Sequence, residues 1–345
     1  MKLHFNRINV IIVELLCAGI FCAGSAALAQ TFVGTILAVQ GDVKILHLPQ
    51  AGAHGPFAKL HGKKYVYHLA KIGQKLSPGE IVLSGTNGKI RIVYPNGDTF
   101  FIGKASSFVL PVDLKNAATQ NNPHQNVHAN SMLKMFYGRF RALISKVGPR
   151  NHLRIVTPDA IAGVRGTDFF TRSNANIGTE LTVLRGAVAF RNAKDPSQIV
   201  TVKTGFSANS STKSHSAPRV IQTTRSELAK IHRQSEVKIS KRAIAKLPKA
   251  QQQELHKLQR RAFKSVMADI RAHNPALYQN LRQRKVKNVD QIDTFVVANL
   301  WRNAPTMRMH KPTAKALEGS GRHVYRKYYR PHPHLHHHFV PRHHR

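Results

Sequence analysis

Cysteine is nearly absent from this 345-residue chain. It has two, Cys17 and Cys22, and both precede Gln30. That opening stretch reads as an export leader. Lys2 and Arg7 make a basic start, Val10 to Ala27 is mostly apolar, and Ala27-Leu28-Ala29 is a small-x-small cleavage site. An uncleaved anchor helix is the competing reading, because the apolar run approaches the length that spans a bilayer. Glu14 inside it and the cleavage site argue for removal of 1–29. Neither cysteine sits in a lipid-attachment box. The exported chain then has no thiol, which excludes a disulfide framework and a cysteine nucleophile. No later stretch is long and apolar enough for a transmembrane helix.

Acidic residues are the next scarcity. There are 16 Asp+Glu against 53 Lys+Arg, a formal net charge of +37. Few carboxylates disfavour a paired-acid glycosidase. No Gly-x-Ser-x-Gly elbow, His-Glu-x-x-His zinc motif or phosphate loop occurs. These absences point to a protein that is not an enzyme and requires no cofactor. The excess of cations attracts polyanions. Outside the cytoplasm these are acidic polysaccharide, lipopolysaccharide, anionic lipid and nucleic acid. Charge that serves solubility alone is the alternative.

Residues 31–205 are rich in β-branched residues, glycine and turn pairs. "TFVGTILAVQGDVKIL" alternates about a Gly41-Asp42 turn, and Asn96-Gly97 separates two apolar runs; both are hairpin signals. Residues 47–68 break the alternation and read as a long loop. "MLKMFYGRFRALISKV", 132–147, is ambiguous, because Leu133, Phe136, Phe140 and Ile144 also fit one helix face. A Ser-rich linker is expected over 206–223. A basic helical region is expected over 224–303, opened by a Thr224/Glu227 capping box, with Leu255, Leu258, Ala262, Val266 and Ile270 at helical spacing. Its basic residues read first as a solvated face.

The most patterned stretch is "TPDAIAGVRGTDFFTR", Thr157 to Arg172. Gly163 and Gly166 would permit a bulge or a close backbone approach. Arg165 would point to solvent or find a carboxylate, with Asp168 and Asp42 as candidates. Arg165 and Asp168 are also the candidate ligand-binding pair. Together with "GTILAVQGDVKI", "IGQKLSPGEIVLSGTNGKIRIVYPNGDTFFIG" and "LTVLRGAVAF", this motif resembles the periplasmic FecR domain over about 31–205. Glu80 and Asn96-Gly97-Asp98 depart from the family's usual Asp and Asp-Gly-Ser, and 47–70 looks like an insertion. The resemblance implies a mainly β fold, an antiparallel roll or sandwich. The named family member is an iron-siderophore sensor and anti-sigma regulator with a cytoplasmic piece and a membrane helix. A chain with only a leader before the domain has no means to hold a cytoplasmic sigma factor, so the domain carries over and the signalling role does not.

The tail, 304–345, is poor in aliphatics and is expected to be disordered. His332, His334, His336, His337, His338, His343 and His344 could chelate zinc, nickel or copper(II) loosely. Tyr325, Tyr328 and Tyr329 among arginines suit a pH-tunable polyanion contact equally, and a solvated tail without partner is a third reading. The expectation is an exported binding or scaffold module of the periplasm or envelope, contacting polysaccharide, another polyanion or an envelope protein.

Overall fold

The computed structural model describes residues 34–49, 55–113, 130–144, 152–195, 197–211 and 217–306. The stretch read as a leader, 1–29, and the tail from 307 with its histidines lie outside the described residues. In chain order the first strands are β1 (Gly34–Gln40), β2 (Val43–His47), β3 (Phe57–Leu60), β4 (Lys63–Leu69), β5 (Lys75–Leu76) and β6 (Ile81–Ser84). Then come β7 (Lys89–Val93), β8 (Thr99–Ile102), β9 (Ser106–Asp113), β10 (Asn130–Leu143), β11 (His152–Val156) and β12 (Ala160–Val164). The last are β13 (Asp168–Asn174), β14 (Gly178–Arg185), β15 (Ala187–Asn192), β16 (Ile199–Lys203), β17 (Phe206–Ser210) and β18 (Arg219–Gln222). Helices α1 (Arg225–Ser235), α2 (Lys241–Ala245), α3 (Lys249–His273), α4 (Pro275–Gln283) and α5 (Val289–Asn303) follow.

The strands make two sheets packed face to face. One runs β5–β1–β7–β8–β10–β13–β14–β17–β18. The other runs β3–β4–β2–β6–β9–β10–β11–β12–β15–β16. Among the described strands only β10–β11 is parallel. The core between the sheets holds Ile36, Ile45, Phe100, Phe108, Phe140, Phe169 and Phe190. Phe140 is its hub, with ring centroids 5.2 Å from Phe100, 5.3 Å from Phe108 and 6.1 Å from Phe169.

β10 belongs to both sheets. Up to Tyr137 it pairs with β9 and β11, and from Gly138 with β8 and β13. The switch, with Phe136 packed on the opposite side against Leu46, Leu60 and Ile81, explains the helix-like spacing. Leu133 and Met135 face the core before Gly138, and Phe140, Ala142 and Ile144 after it. A strand whose inward phase flips from odd to even leaves apolar gaps that imitate a helix face. At Gly138 φ is 115°, and a Cβ there would stand 2.4 Å from the Ser106 Cα.

Three expectations change. Gly41-Asp42 does not close a hairpin: β1 lies in one sheet and β2 in the other, so the pair is a corner. Residues 47–68 are not simply loop, because β3 and β4 form an edge hairpin turned at His61-Gly62. Lysines on this solvated hairpin mask the alternation. Within the expected linker 206–223, Phe206–Ser210 and Arg219–Gln222 are β17 and β18 of one sheet, and 212–216 lie outside the described residues. The two serines of β17 have satisfied hydroxyls, Ser207 with Thr182 and Thr223 at 2.8 Å each, and Ser210 to the Asp159 carbonyl at 2.8 Å. The Asn96-Gly97 hairpin (β7–β8) and the Thr224/Glu227 capping box form as expected.

The helices cover the outer face of the first sheet. Leu37, Ala38, Val93, Phe101 and Leu143 of that face pack with Leu255, Leu258, Ala262, Val266, Ile270, Leu281, Ile292 and Val296. This capped sheet is buried on both faces, and the other is open on its outer side.

Candidate functional site: the arginine–aspartate junction

Strand register builds a row across the capped face. Ala38 stands opposite Arg91, Arg91 opposite Phe101, Phe101 opposite Arg141, and Arg141 opposite Phe170. Both guanidiniums lie against the Phe101 ring, Arg91 at 4.8 Å and Arg141 at 5.9 Å from its centroid. A charge in this apolar layer requires partners, and the helices supply them. Asp290 and Asp293, one turn apart at the start of α5, reach Arg91 and Arg141 respectively. The Arg91–Asp290 contact is 2.6 Å. A third arginine, Arg185 at the end of β14, meets the buried Asp269 of α3, which also takes His273 at 3.1 Å.

Arg141 is the centre, with a side chain 1% exposed. Its Nε and Nη2 donate to the two carboxylate oxygens of Asp168 at 2.8 and 2.7 Å. The same Nη2 donates to Asp293, and Nη1 donates to the Ser235 hydroxyl of α1 at 3.3 Å. A fork shared between two carboxylates and a hydroxyl uses the geometry that distinguishes arginine from lysine. Burial alone would push Arg141 down; the charges of Asp168 and Asp293 outweigh it and raise it above its ordinary value. Burial likewise pushes Asp293 up, but the Arg141 charge, aided by His232 and the Arg141 hydrogen bond, pulls it to about 2. Arg91 and Arg185 are lowered by burial, against the pull of Asp290 on the first and Asp168 on the second.

His232 of α1 places Nδ1 3.6 Å from Asp293 Oδ2, an ion-pair distance. That carboxylate raises the imidazole against a smaller effect of burial. A raised histidine stabilises the fold below its unfolded pKa of about 6.5, and the contribution is lost as pH rises through the folded value. Asp293, depressed, contributes above its unfolded value and loses its contribution only as pH falls toward 2. The junction is therefore tightest in mild acid. Replacing His232 with Gln should flatten the fall in thermal midpoint between pH 6 and 8, by less than about 1 kcal/mol because the ring is one-third exposed. An unchanged pH profile would refute the pairing.

The residues expected from sequence are placed apart. Arg165 lies exposed in the corner between β12 and β13, where the chain passes from the open sheet to the capped one at Gly166, φ 61°. Asp168 is 3% exposed, and its carboxylate is taken by Arg141 rather than Arg165. Gly163 makes no close approach; a Cβ would meet nothing nearer than 3.9 Å. The patterned motif thus turns the corner and delivers one carboxylate to the junction. Gly166 also lines a cavity of about 250 Å³ with Arg185, His273 and Asn274. Sequence reasoning named Asp168 but missed Arg91, Arg141, Arg185, Asp269, Asp290 and Asp293. The available signal was an arginine with apolar residues on both sides, Arg91 in "IRIV" and Arg141 in "FRAL". Among the described residues no three His, Cys, Asp or Glu side chains are placed to share a metal ion, and no helix is long and apolar enough to cross a membrane. His332, His334, His336, His337, His338, His343 and His344 lie outside the described residues.

Fold and junction together define a two-sheet β domain capped by its own C-terminal helices through buried ion pairs. Residues 80–189 match the FecR protein family, so this chain carries a FecR domain. The match covers the middle of the sandwich; β1–β5 before it and β16–β18 after it continue the same sheets. Arg91, Arg141, Arg185 and Asp168 lie inside the match, while Asp269, Asp290 and Asp293 come from the helices beyond it. Two crystal structures of a protein assigned as an anti-sigma factor from Parabacteroides distasonis, solved at 1.65 and 2.50 Å, are similar to this chain. Each is 10% identical with a TM-score of 0.31, and the likeness covers 41% of this chain and 59% of that one. This chain thus spans less than two thirds of their length. A comparison with curated proteins gave no match.

Proposed function

We propose that this chain is an exported, non-catalytic FecR-domain protein acting as a binding or scaffold module of the periplasm or cell envelope, and not itself an anti-sigma factor. The junction carries the reading. The capped face of the FecR domain is occupied by the chain's own helices, which leaves the open sheet and the outward helix faces for partners. The carboxylates of the junction support a non-catalytic part: Asp168 and Asp293 are clamped by Arg141 and Asp269 by Arg185, and a clamped carboxylate makes a poor proton shuttle. The leader supports export, which separates the chain from a cytoplasmic sigma factor.

The test is to express the tagged chain in a bacterial host, fractionate, and sequence the N-terminus. The expected product begins at Gln30, sits in the envelope fraction, and retains a defined envelope component at about 1 M salt, where charges are screened beyond about 3 Å. A cytoplasmic chain with its leader intact, or co-purification of a sigma factor, would overturn the proposal.

A further inference from the structure

Helix α3 buries Leu255, Leu258, Ala262, Val266 and Ile270 against the sheet. Its outward side is unusual. Lys257, Arg260, Arg261 and Lys264 occupy i, i+3, i+4 and i+7, one face of the helix over about 10 Å of axis. All four are exposed. Together they line a groove of about 520 Å³ between α3 and the Asn96-Gly97 turn, whose other walls are Asn96, Ser265 and Ala268. No carboxylate lines it. The acidic residue one turn earlier, Glu254, reaches away to Lys75 at 3.4 Å. Like charges at i,i+3 and i,i+4 destabilise a helix, so this face repels itself until an anion fills it.

The groove is also rigid. Arg261 donates to the Pro95 carbonyl at 2.8 Å, and the Ser265 hydroxyl to the Asn96 carbonyl at 3.3 Å. Gly97 packs so closely that a Cβ would stand 2.8 Å from Ser265 Cβ. A hairpin turn of the FecR domain therefore fixes the helix that carries the cations. What lines the groove narrows the occupant. It has no aromatic ring on which bases could stack. It has no large apolar side chain to enter a membrane interface beside the cations. What remains is an array of four closely spaced cations, one of them held by Pro95, suited to a flexible chain of repeated negative charges.

We propose that this groove binds an acidic, carboxylate-bearing polysaccharide. The proposal rests on the envelope reading above only for where that glycan would be met. Its test uses purified chain, so a failure of export and a failure of the groove are separate results. Binding of polygalacturonate is measured at rising salt for the intact chain, for Lys257→Gln/Arg260→Gln/Lys264→Gln, and for a control of equal charge, Lys59→Gln/Lys63→Gln/Lys203→Gln. The first variant keeps the Arg261 contact to Pro95, and matched thermal midpoints check its fold. The groove variant should lose at least about tenfold in affinity and show a shallower salt slope, as removal of ionic contacts requires. The control should lose less than about twofold. Equal losses would mean diffuse charge and overturn the proposal. So would the absence of polygalacturonate binding, or tighter binding of single-stranded DNA or anionic vesicles through the same residues.

Discussion

Replacing Arg141 with Met should cost about 3–5 kcal/mol and lower the thermal midpoint by about 10 °C or more. The reason is what the change leaves behind. Asp168 and Asp293 have side chains 5% and 16% exposed, and both direct oxygens at the guanidinium. Without it two carboxylates face each other in an apolar layer, and the Ser235 hydroxyl loses its donor. Removing one partner of a buried ionic network is costly, whereas removing all its charges together is close to neutral. The triple change Arg141→Met, Asp168→Asn, Asp293→Asn should therefore recover most of the loss. Denaturant midpoints on both variants decide the matter. A single change costing under about 1 kcal/mol would show that the junction holds no desolvated network.

The other large effect belongs to Gly138. Replacement with Ala puts a Cβ into φ 115°, 2.4 Å from Ser106 Cα. Strain at such an angle costs about 1–3 kcal/mol, and overpacking against backbone costs a similar amount. The Arg139 N–H to Ser106 hydroxyl bond, 2.9 Å, is disturbed as well. The expected loss is about 4 kcal/mol, with both sheets affected because β10 runs through both. Gly163 is the matched control: a strand glycine with ordinary space about its Cβ site. Its replacement with Ala should stay within about 0.5 kcal/mol or stabilise slightly. Equal losses at the two sites would remove the sheet switch as the cause.

The two sheets differ in how legible they were. The open sheet is wet on one side, and β15 alternates exposed and buried positions over much of its length; this is the pattern that betrays a strand. The capped sheet is dry on both sides, so β8, "TFFI", is buried throughout. A run without alternation says that something covers the second face and leaves the cover unnamed. The cover was visible separately, as helices with one apolar side, but composition carries no mark that the two belong together. The junction was hidden for the same reason. Arg141 and Asp293 are 152 residues apart, and an arginine reads as solvent-exposed until a carboxylate is placed beside it. Corners were read as hairpins because Gly41-Asp42 has the chemistry of both; which sheet the next strand joins is decided by long-range pairing.

The division of the three ion pairs sets where this protein can be cut. Each guanidinium lies in the part that matches FecR, and the acidic partners Asp269, Asp290 and Asp293 lie downstream of it. A fragment ending near the serine-rich stretch would present a bare apolar sheet in which Arg91 and Arg185 lose their carboxylates and Arg141 keeps only Asp168. The functional boundary therefore falls after α5, near Thr306, and not at the change of composition. The helices are not an appendage: their apolar side covers the sheet face that Leu37, Val93, Phe101 and Leu143 form. A fragment without them would expose that apolar face to water and to other copies of itself.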